Sequence, residues 1–528
     1  MISFFGRKLI DNFRLRFGSH NEVYIIKGSD KNAFILAENI VTHDAEYKHP
    51  DKNRLIVFIL EEDDDEEKIN EKASRFGGIV QVPDRNHDIL YYLKKTRLGK
   101  TKKKKYTIIL MQRNESAPDD AYHIAEFVKR KNVNSEKLDI FVFIQSEWDR
   151  EQVEKITQAK DGNQRKYPYT FHIVSEVDLM IRQMIEKRPP FECPGLNFSG
   201  GAAARNFTVM ILGFGTVGQS ALLRLMMNGQ FVGSRMRAII IDRNIDNLRD
   251  CFLHRYPGLG LCCDIEFKNF DVQNKEFFTL LNEIQNMDYI VIALCGNKIN
   301  KQTALNIKLN YERKNNALPF IAVSEENGSS REVKQDENIF TFGCREEIYK
   351  ESIIISEKTD RMAKTINKMY GRQRWHELDW FLQESNRAAA DFIPAMLKLA
   401  KLDEKEAVKK NTLTDDNSLA EILAQTEHLR WNAFHAAMGY CPISIEEMNR
   451  RFKEYNGNGN SLDFARRDSK ARLQVCLVSW DELDKISEAY RELECSAGLK
   501  PERDFKLSDR DIIKNIPLFL KERSKKSL

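Results

Sequence analysis

Two tandem doubly wound parallel α/β sheets followed by a mainly α-helical block are the architecture predicted by three features of the sequence. Short apolar runs of strand length alternate with helical segments between Val23 and Phe342. The alternation occurs twice, over residues 20–190 and 206–356, with a linker rich in Pro and Gly at 191–205. Beyond Ser356 the strand-like runs stop and helical patterns dominate residues 357–500, leaving 501–528 as a tail that is basic at its end. Short apolar strands separated by helices imply a parallel sheet covered on both faces.

Composition narrows the partners. A chain of 528 residues predicts about three or four domains. Its net charge of +4, with 31% charged residues, is too balanced for a dedicated nucleic-acid binder, so small anions are the expected ligands and nucleic acid is not. Nine cysteines without C-x-x-C spacing, and no secretory signal ahead of them, predict a reduced cytoplasmic compartment without disulfides. No apolar run approaches the roughly 18 residues that cross a bilayer, so any membrane contact is expected to be peripheral.

Residues 1–19 form an amphipathic segment in which Phe5, Leu9, Phe13 and Phe17 recur at i, i+4 spacing, with Arg7, Lys8, Arg14 and Arg16 between them. Such a helix suits an anionic membrane surface or a partner, and equally a docked first helix of its own domain. The first α/β unit follows, with strands at Val23–Ile26, Leu55–Leu60, Ile79–Val82, Tyr106–Met111, Leu138–Ile144 and Thr170–Val174. Its opening turn, Gly28-Ser29-Asp30-Lys31-Asn32-Ala33, keeps one glycine, which predicts an altered or lost anion site. Glu61 and Glu62 begin the run E-E-D-D-D-E-E, best read as a solvated acidic loop. Lys100–Lys105 either holds an anion or an acidic partner or is a solvated loop tip; without interleaved aromatics the solvated reading is preferred.

The second unit carries the sharpest motif. In Phe207–Ser220 an apolar strand runs into Gly213-Phe214-Gly215-Thr216-Val217-Gly218, an apolar helix follows, and a second strand ends in Asp242. In this G-x-G-x-x-G context the first glycine allows the tight turn. The second lets a pyrophosphate approach the backbone, and the third lets helix and strand pack closely. The helix N-terminus offers amides to the anion. Asp242, 24 residues beyond Gly218, is positioned for ribose hydroxyls, with Arg243 beside it bearing on a 2′-phosphate. The ligand expected is an adenine nucleotide or NAD(H). Further strands at Ile265–Phe270, Tyr289–Ala293, Phe320–Val323 and Ile339–Phe342 complete a repeat of the first plan, so the two Rossmann-like units are expected to pair.

These two units resemble the nucleotide-binding domains of regulators of potassium conductance, the TrkA-N or RCK family, with Gly213, Gly215, Gly218 and Asp242 on the family's nucleotide motif. The resemblance implies sensing of adenine nucleotides or dinucleotides and regulation of a transport pore supplied by another chain. The first unit departs from the pattern at Asp30 and Asn32.

In the helical block, Glu427, His428, Arg430, Trp431 and His435 share one helix. The seven residues from His428 to His435 span about 10.5 Å of rise, too far for one metal, and a zincin's i, i+4 histidine pair is missing. No catalytic or metal site is expected. Asn386, Arg387, His428, Arg430, Trp431 and Lys470 combine cationic, polar and aromatic groups suited to a phosphorylated base, Arg by forked hydrogen bonds and Trp by stacking. The competing reading makes the tryptophans core and the arginines surface. Residues Asp403–Asn417 read as a polar loop or hinge, and Asp468–Leu483 as one closing element.

This block resembles the RyR domain, the repeat named from ryanodine receptors. The shared motifs are Tyr370, W-H-E-L at Trp375–Leu378, E-S-N-R at Glu384–Arg387 followed by Ile393-Pro394, E-H-L-R-W at Glu427–Trp431, Gly439-Tyr440 and L-V-S-W-D-E-L at Leu477–Leu483. Tyr440 stands where many relatives have Trp. The resemblance implies a ligand-recognition module for nucleotides without enzymatic activity. Together these readings predict a homo-oligomeric cytoplasmic nucleotide sensor, with one ligand at the second Rossmann-like unit and a nucleotide-like ligand at the RyR-type block. It would signal to a channel or effector subunit. The alternatives are a signalling effector sensing a nucleotide messenger in antiviral defence, and an NAD-dependent oxidoreductase with Cys295 and Asn297 near the nicotinamide.

Overall fold

The computed structural model describes residues 4–61, 64–82, 89–96, 98, 104–112, 116–131, 138–158, 170–325, 337–371, 373–455 and 461–525. The chain divides into two compact units, one of residues 1–179, 345–359 and 373–380, the other of residues 180–344, 360–372 and 381–528.

The first unit begins with α1 (Phe4–Phe17), β1 (Glu22–Lys27), α2 (Lys31–Thr42), β2 (Arg54–Ile59), α3 (Glu66–Ser74) and β3 (Ile79–Gln81). It continues with α4 (Ile89–Lys95), β4 (Lys105–Leu110), α5 (Ala117–Lys131), β5 (Leu138–Ile144), α6 (Glu147–Gln158) and β6 (Thr170–Ser175). The six strands are parallel in the order β3-β2-β1-β4-β5-β6. Successive strand residues face opposite sides, and both sides are covered. Val23, Ile25, Val57, Ile108 and Ile140 join Leu93 of α4 and Ile124 of α5 in one buried cluster. From the other face Phe58 meets Phe34 of α2, ring centroids 4.8 Å apart. The acidic block read as a loop is partly helical. Asp65 caps α3, its carboxylate accepting from the Lys68 amide at 3.1 Å, and Glu66 and Glu67 occupy the first turn, where the helix dipole favours them. Glu62 of that block, and Lys100–Lys103 of the lysine run, lie outside the described residues, as do the side chains of Phe5, Arg7, Lys8, Leu9 and Arg16.

After α7 (Glu176–Lys187) and a small hairpin of β7 (Phe198–Ser199) and β8 (Ala202–Ala203), the second sheet is laid down. It comprises β9 (Thr208–Leu212), α8 (Thr216–Asn228), β10 (Met236–Ile241), α9 (Ile245–Arg255), β11 (Cys263–Lys268), α10 (Lys275–Glu283) and β12 (Tyr289–Ile292), then α11 (Asn297–Arg313), β13 (Phe320–Ser324) and β14 (Ile339–Phe342). The parallel order β11-β10-β9-β12-β13-β14 repeats that of the first sheet. All five residues of β9 are buried, as two-sided cover requires. Both units are therefore Rossmann-like.

The chain then returns to the first unit through α12 (Arg345–Ile348) and α13 (Glu351–Ile354). Asn32 donates to the Tyr349 hydroxyl at 3.0 Å and Asn39 to the Tyr349 carbonyl at 2.8 Å. The Glu351 and Ser352 amides donate to the Asp44 carboxylate at 2.6 and 2.9 Å. Arg54 pairs with Glu351 at 2.8 Å. His172 of β6 stacks on Phe141 and sits between two carboxylates, with Nδ1 2.8 Å from Glu357 and Nε2 3.7 Å from Asp139.

The remaining helices are α14 (Arg361–Tyr370), α15 (Trp380–Leu399), α16 (Glu404–Lys410), α17 (Asn417–Ala437), α18 (Ile445–Glu454), α19 (Ser461–Arg466), α20 (Glu482–Ser496) and α21 (Lys506–Lys525). A three-stranded patch of β15 (Cys441–Pro442), β16 (Arg467–Asp468) and β17 (Leu473–Gln474) interrupts them. Three expectations are corrected. The span read as a polar hinge contains α16, which a reciprocal capping box starts at Asp403 and Glu406. The span Asp468–Leu483 holds the β16–β17 hairpin and only the start of α20. The tail is a 20-residue helix, and its Ile513, Ile516 and Leu520 are buried. This helical block belongs to the second unit: α17 packs on α8, and Phe231 stacks on Phe392 of α15. Among the described residues no helix is long and apolar enough to cross a membrane.

Candidate functional site

The order of the second sheet reverses between β9 and β12, and ligands of open α/β sheets bind beyond the strand ends at such a point. Two glycine turns meet there. Gly213, with φ +90°, receives the chain from β9; a Cβ on it would lie 2.5 Å from the Ala293 carbonyl oxygen beyond β12. Gly215 caps α8 and is exposed; a Cβ there would meet no atom within 4 Å, and no side chain caps the helix. Gly218 packs α8 against β9, since a Cβ would come within 2.0 Å of the Gly213 carbonyl oxygen. The three glycines thus differ in what a side chain would meet: backbone oxygens at Gly213 and Gly218, and open space at Gly215.

The second turn is formed in the same way. Gly296, with φ +121° and open space at its Cβ position, caps α11, again with no side-chain acceptor. Buried Asn300 fixes this turn by accepting from the Leu294 amide and donating to the Ser324 carbonyl, both at 3.0 Å. The first-turn amides of α8 and α11 have no intrahelical acceptors, so two partly positive helix ends stand at the sheet's reversal point.

Around them, Phe214 turns inward, fully buried against Phe252, while Thr216 is exposed and Val217 half-buried. Asp242 directly follows β10 and is half-buried. Its Oδ2 accepts from the Phe214 amide and its Oδ1 from the Asn244 amide, both at 2.7 Å. Each carboxylate oxygen retains a second lone pair for a ribose hydroxyl. Arg243 points to solvent, 3.6 Å from Asp271. Cys295 is exposed and Asn297 half-buried at the start of α11. A separate pocket of about 410 Å³ lies at the opposite edge of the sheet, where β12 and β13 begin, and is lined by Arg205, Asn282, Asn310, Tyr311 and Asn316.

In the first unit the equivalent turn is closed from within. Gly28 keeps a positive φ of +129°, but Asp30 caps α2 with its own carboxylate, which accepts from the Ala33 amide at 2.9 Å. An arriving phosphate would face that negative charge.

The six helical-block candidates fall in different settings. Arg430 is buried and its fork is spent on Glu427, at 2.8 and 2.7 Å; Nη1 is buried without a hydrogen-bond partner. Burial raises the Glu427 carboxyl above its ordinary range, against the pull of Arg430. His428 is buried between Asp509 Oδ2 at 3.2 Å and the Val478 carbonyl at 2.9 Å. Trp431 is half-buried against His435, ring centroids 3.8 Å apart, and burial pushes His435 down to about 3. Asn386 is half-buried and donates to the Leu382 carbonyl. Lys470 is exposed in the β16–β17 turn, its amide donating to Asp468. The forked recognition expected of Arg387 and Arg430 is taken up by carboxylates of the chain itself. Of the six, Lys470 is exposed and Asn386, Arg387 and Trp431 are half-buried.

Arg387 belongs to a ring of alternating charge that spacing alone did not reveal. Asp360 bridges Arg182 at 2.7 Å and Arg387 at 2.6 Å. Glu384 bridges Arg387 at 2.7 Å and Arg224 at 3.5 Å. Asp391 bridges Arg224 at 3.5 Å and Arg182 at 3.0 Å, closing the circle. Flanking arginines hold the Asp360 and Glu384 carboxyls below their usual range despite burial. The i, i+3, i+7 spacing of Glu384, Arg387 and Asp391 on one helix was a signal; their partners on α7 and α8 were not visible. Arg224 lies eight residues beyond Thr216 on α8, so one helix carries the glycine turn at its start and joins this ring farther along. Among the described residues no three His, Cys, Asp or Glu side chains gather as a metal site requires. No protein-family model and no curated protein matches the chain.

Proposed function

We propose that this chain is a nucleotide-responsive regulatory protein. It binds an adenine nucleotide or NAD(H) at the crevice of its second sheet, with phosphates over the Gly215 and Gly296 turns and a ribose at Asp242. The observation that carries the reading is the meeting of two glycine-capped helix N-termini at the sheet's reversal point, with open space over each cap. The helical block is the responder. Phosphate draws on the amides of α8, and α8 is held to α15 through Arg224 and packs on α17. The resemblance of the chain's motifs to those of RCK and RyR domains supports this division into sensor and reader. A second, nucleotide-like ligand at the block would have Trp431 and Lys470 as contacts. The state is passed to a separate channel or effector subunit, with the chain acting as a homo-oligomer.

Calorimetry of the full chain with ATP, ADP, AMP, NAD⁺ and NADH tests the site, alongside Gly215→Asp. That substitution gives α8 the self-capping carboxylate that Asp30 supplies to α2, in a place where a Cβ meets nothing. Affinity is expected to fall by at least about tenfold, the scale of one charge-assisted contact, while the melting temperature holds. Unchanged affinity in a folded Gly215→Asp protein, or no binding across the panel, would remove the proposal.

A further inference from the structure

Arg14 of the amphipathic segment and Lys104 of the lysine run play no part in the nucleotide crevice, and in the first unit both lie close to His20. Leu15 turns α1 inward, 3% exposed and part of the sheet's core. Ile10, Phe13 and Phe17 lie about 140–160° around the helix from it at roughly 100° per residue. They are 45%, 64% and 65% exposed, and the Phe13 and Phe17 rings are 5.1 Å apart. Cations border this stripe. Arg14 donates to the Gly77 carbonyl at 2.7 Å, with Asp11 3.5 Å away. Lys104, the described start of the lysine run's end, donates to the carbonyl of Gly18, the residue after Phe17, at 3.0 Å. Exposed Lys52 is held alongside by its carbonyl, 2.9 Å from His20 Nδ1. Burial lowers the His20 pKa, the hydrogen bond to the Lys52 carbonyl opposes this, and the Arg14 and Lys104 charges lower it further.

We infer that this face docks on an anionic lipid surface, with Ile10, Phe13 and Phe17 at the acyl boundary and Arg14, Lys52 and Lys104 toward headgroup phosphates. Membrane-surface helices combine an apolar stripe with flanking cations in this way. A second copy of the chain is a poorer occupant, because it would bring like charges together. Three side chains also cover far less than the roughly 800 Å² per partner of a stable protein interface.

Flotation of the full chain with phosphatidylcholine vesicles, with and without phosphatidylglycerol, tests the assignment. Binding is expected only with phosphatidylglycerol, and it should weaken in high salt. Phe13→Ser with Phe17→Ser should lower it by about tenfold or more, and Lys104→Glu by a smaller factor. Circular dichroism is expected to be unchanged, since the substituted side chains are exposed or half-buried. Equal binding to both vesicle types, no binding to either, or full binding by the double variant would overturn the inference. So would a mass in light scattering that halves in the double variant while vesicles are not bound, which would make the face a self-association surface. Because neither Phe touches the crevice, nucleotide affinity of the double variant separates this outcome from failure of the nucleotide site.

Discussion

Gly213, Gly215 and Gly218 look interchangeable on paper, yet what surrounds each Cβ position separates them. At Gly218 a methyl would lie 2.0 Å from a backbone oxygen that cannot rotate away. Gly218→Ala is expected to cost at least about 2 kcal/mol, within the range for overpacking a tight contact, read as a lower midpoint in chemical denaturation. Gly215→Ala is expected to leave that midpoint nearly unchanged, because the added methyl meets nothing within 4 Å, and to weaken nucleotide binding instead. A large stability loss at Gly215, or none at Gly218, would contradict these assignments. The strand–turn–helix arrangement was legible in the sequence, since strand, glycines and helix follow one another without interruption. The cap at Gly296 was less so, although the apolar run Tyr289–Ala293 followed by Leu-Cys-Gly-Asn carries the same strand-to-glycine punctuation.

Among elements, strands were easier to read than the late helices. β9 and β10 are apolar because both faces of their sheet are covered, so each stands out as a short run. The helix α21 does not, with Pro517 inside it and charges scattered along its length; its stripe Ile513, Ile516 and Leu520 matters because α17 lies against it. Likewise the arginines read as ligand contacts are drawn inward by carboxylates remote in sequence. The charge ring joining α7, α8, α14 and α15 has three arginines and three acids, so it is neutral as a set. Removing one carboxylate takes a partner each from Arg182 and Arg387 and leaves the buried ring with an uncompensated positive charge, and Asp360→Asn is expected to cost about 3–5 kcal/mol. Arginine holds the Asp360 carboxyl below its unfolded value, so its contribution is present above the unfolded pKa and disappears as pH falls through the folded one. Acid titration of stability should therefore be shallower in Asp360→Asn than in the parent. A variant as stable as the parent at neutral pH would show that the ring adds nothing.

For the molecule as a whole, the return of residues 345–359 to the first unit is the organising fact that no local pattern announced. It is fastened by His172, whose pKa is raised to about 9: burial opposes the charge, and Glu357 and Asp139 outweigh it. The folded value lies above the unfolded value near 6.5, so the contribution is fully present below the unfolded pKa and is lost as pH rises through about 9. At 1.36 kcal/mol per pH unit that amounts to about 3 kcal/mol. Limited proteolysis within 345–359 is expected to accelerate above that pH, and Glu357→Gln should bring the acceleration to lower pH. A cleavage rate flat across that range would mean the clasp is idle.

The same return segment sets an order of assembly. The chain passes between the units after residues 179, 344, 359, 372 and 380, so neither unit is a continuous stretch. As the polypeptide leaves the ribosome, all six strands of the first sheet emerge before two of its fasteners, Glu351 and Glu357, have been synthesised. Arg54 and His172 must wait through the synthesis of an entire second sheet for their partners. The half of the protein made first is thus the half completed late, and during that interval its strands depend on one another and on whatever chaperones meet them.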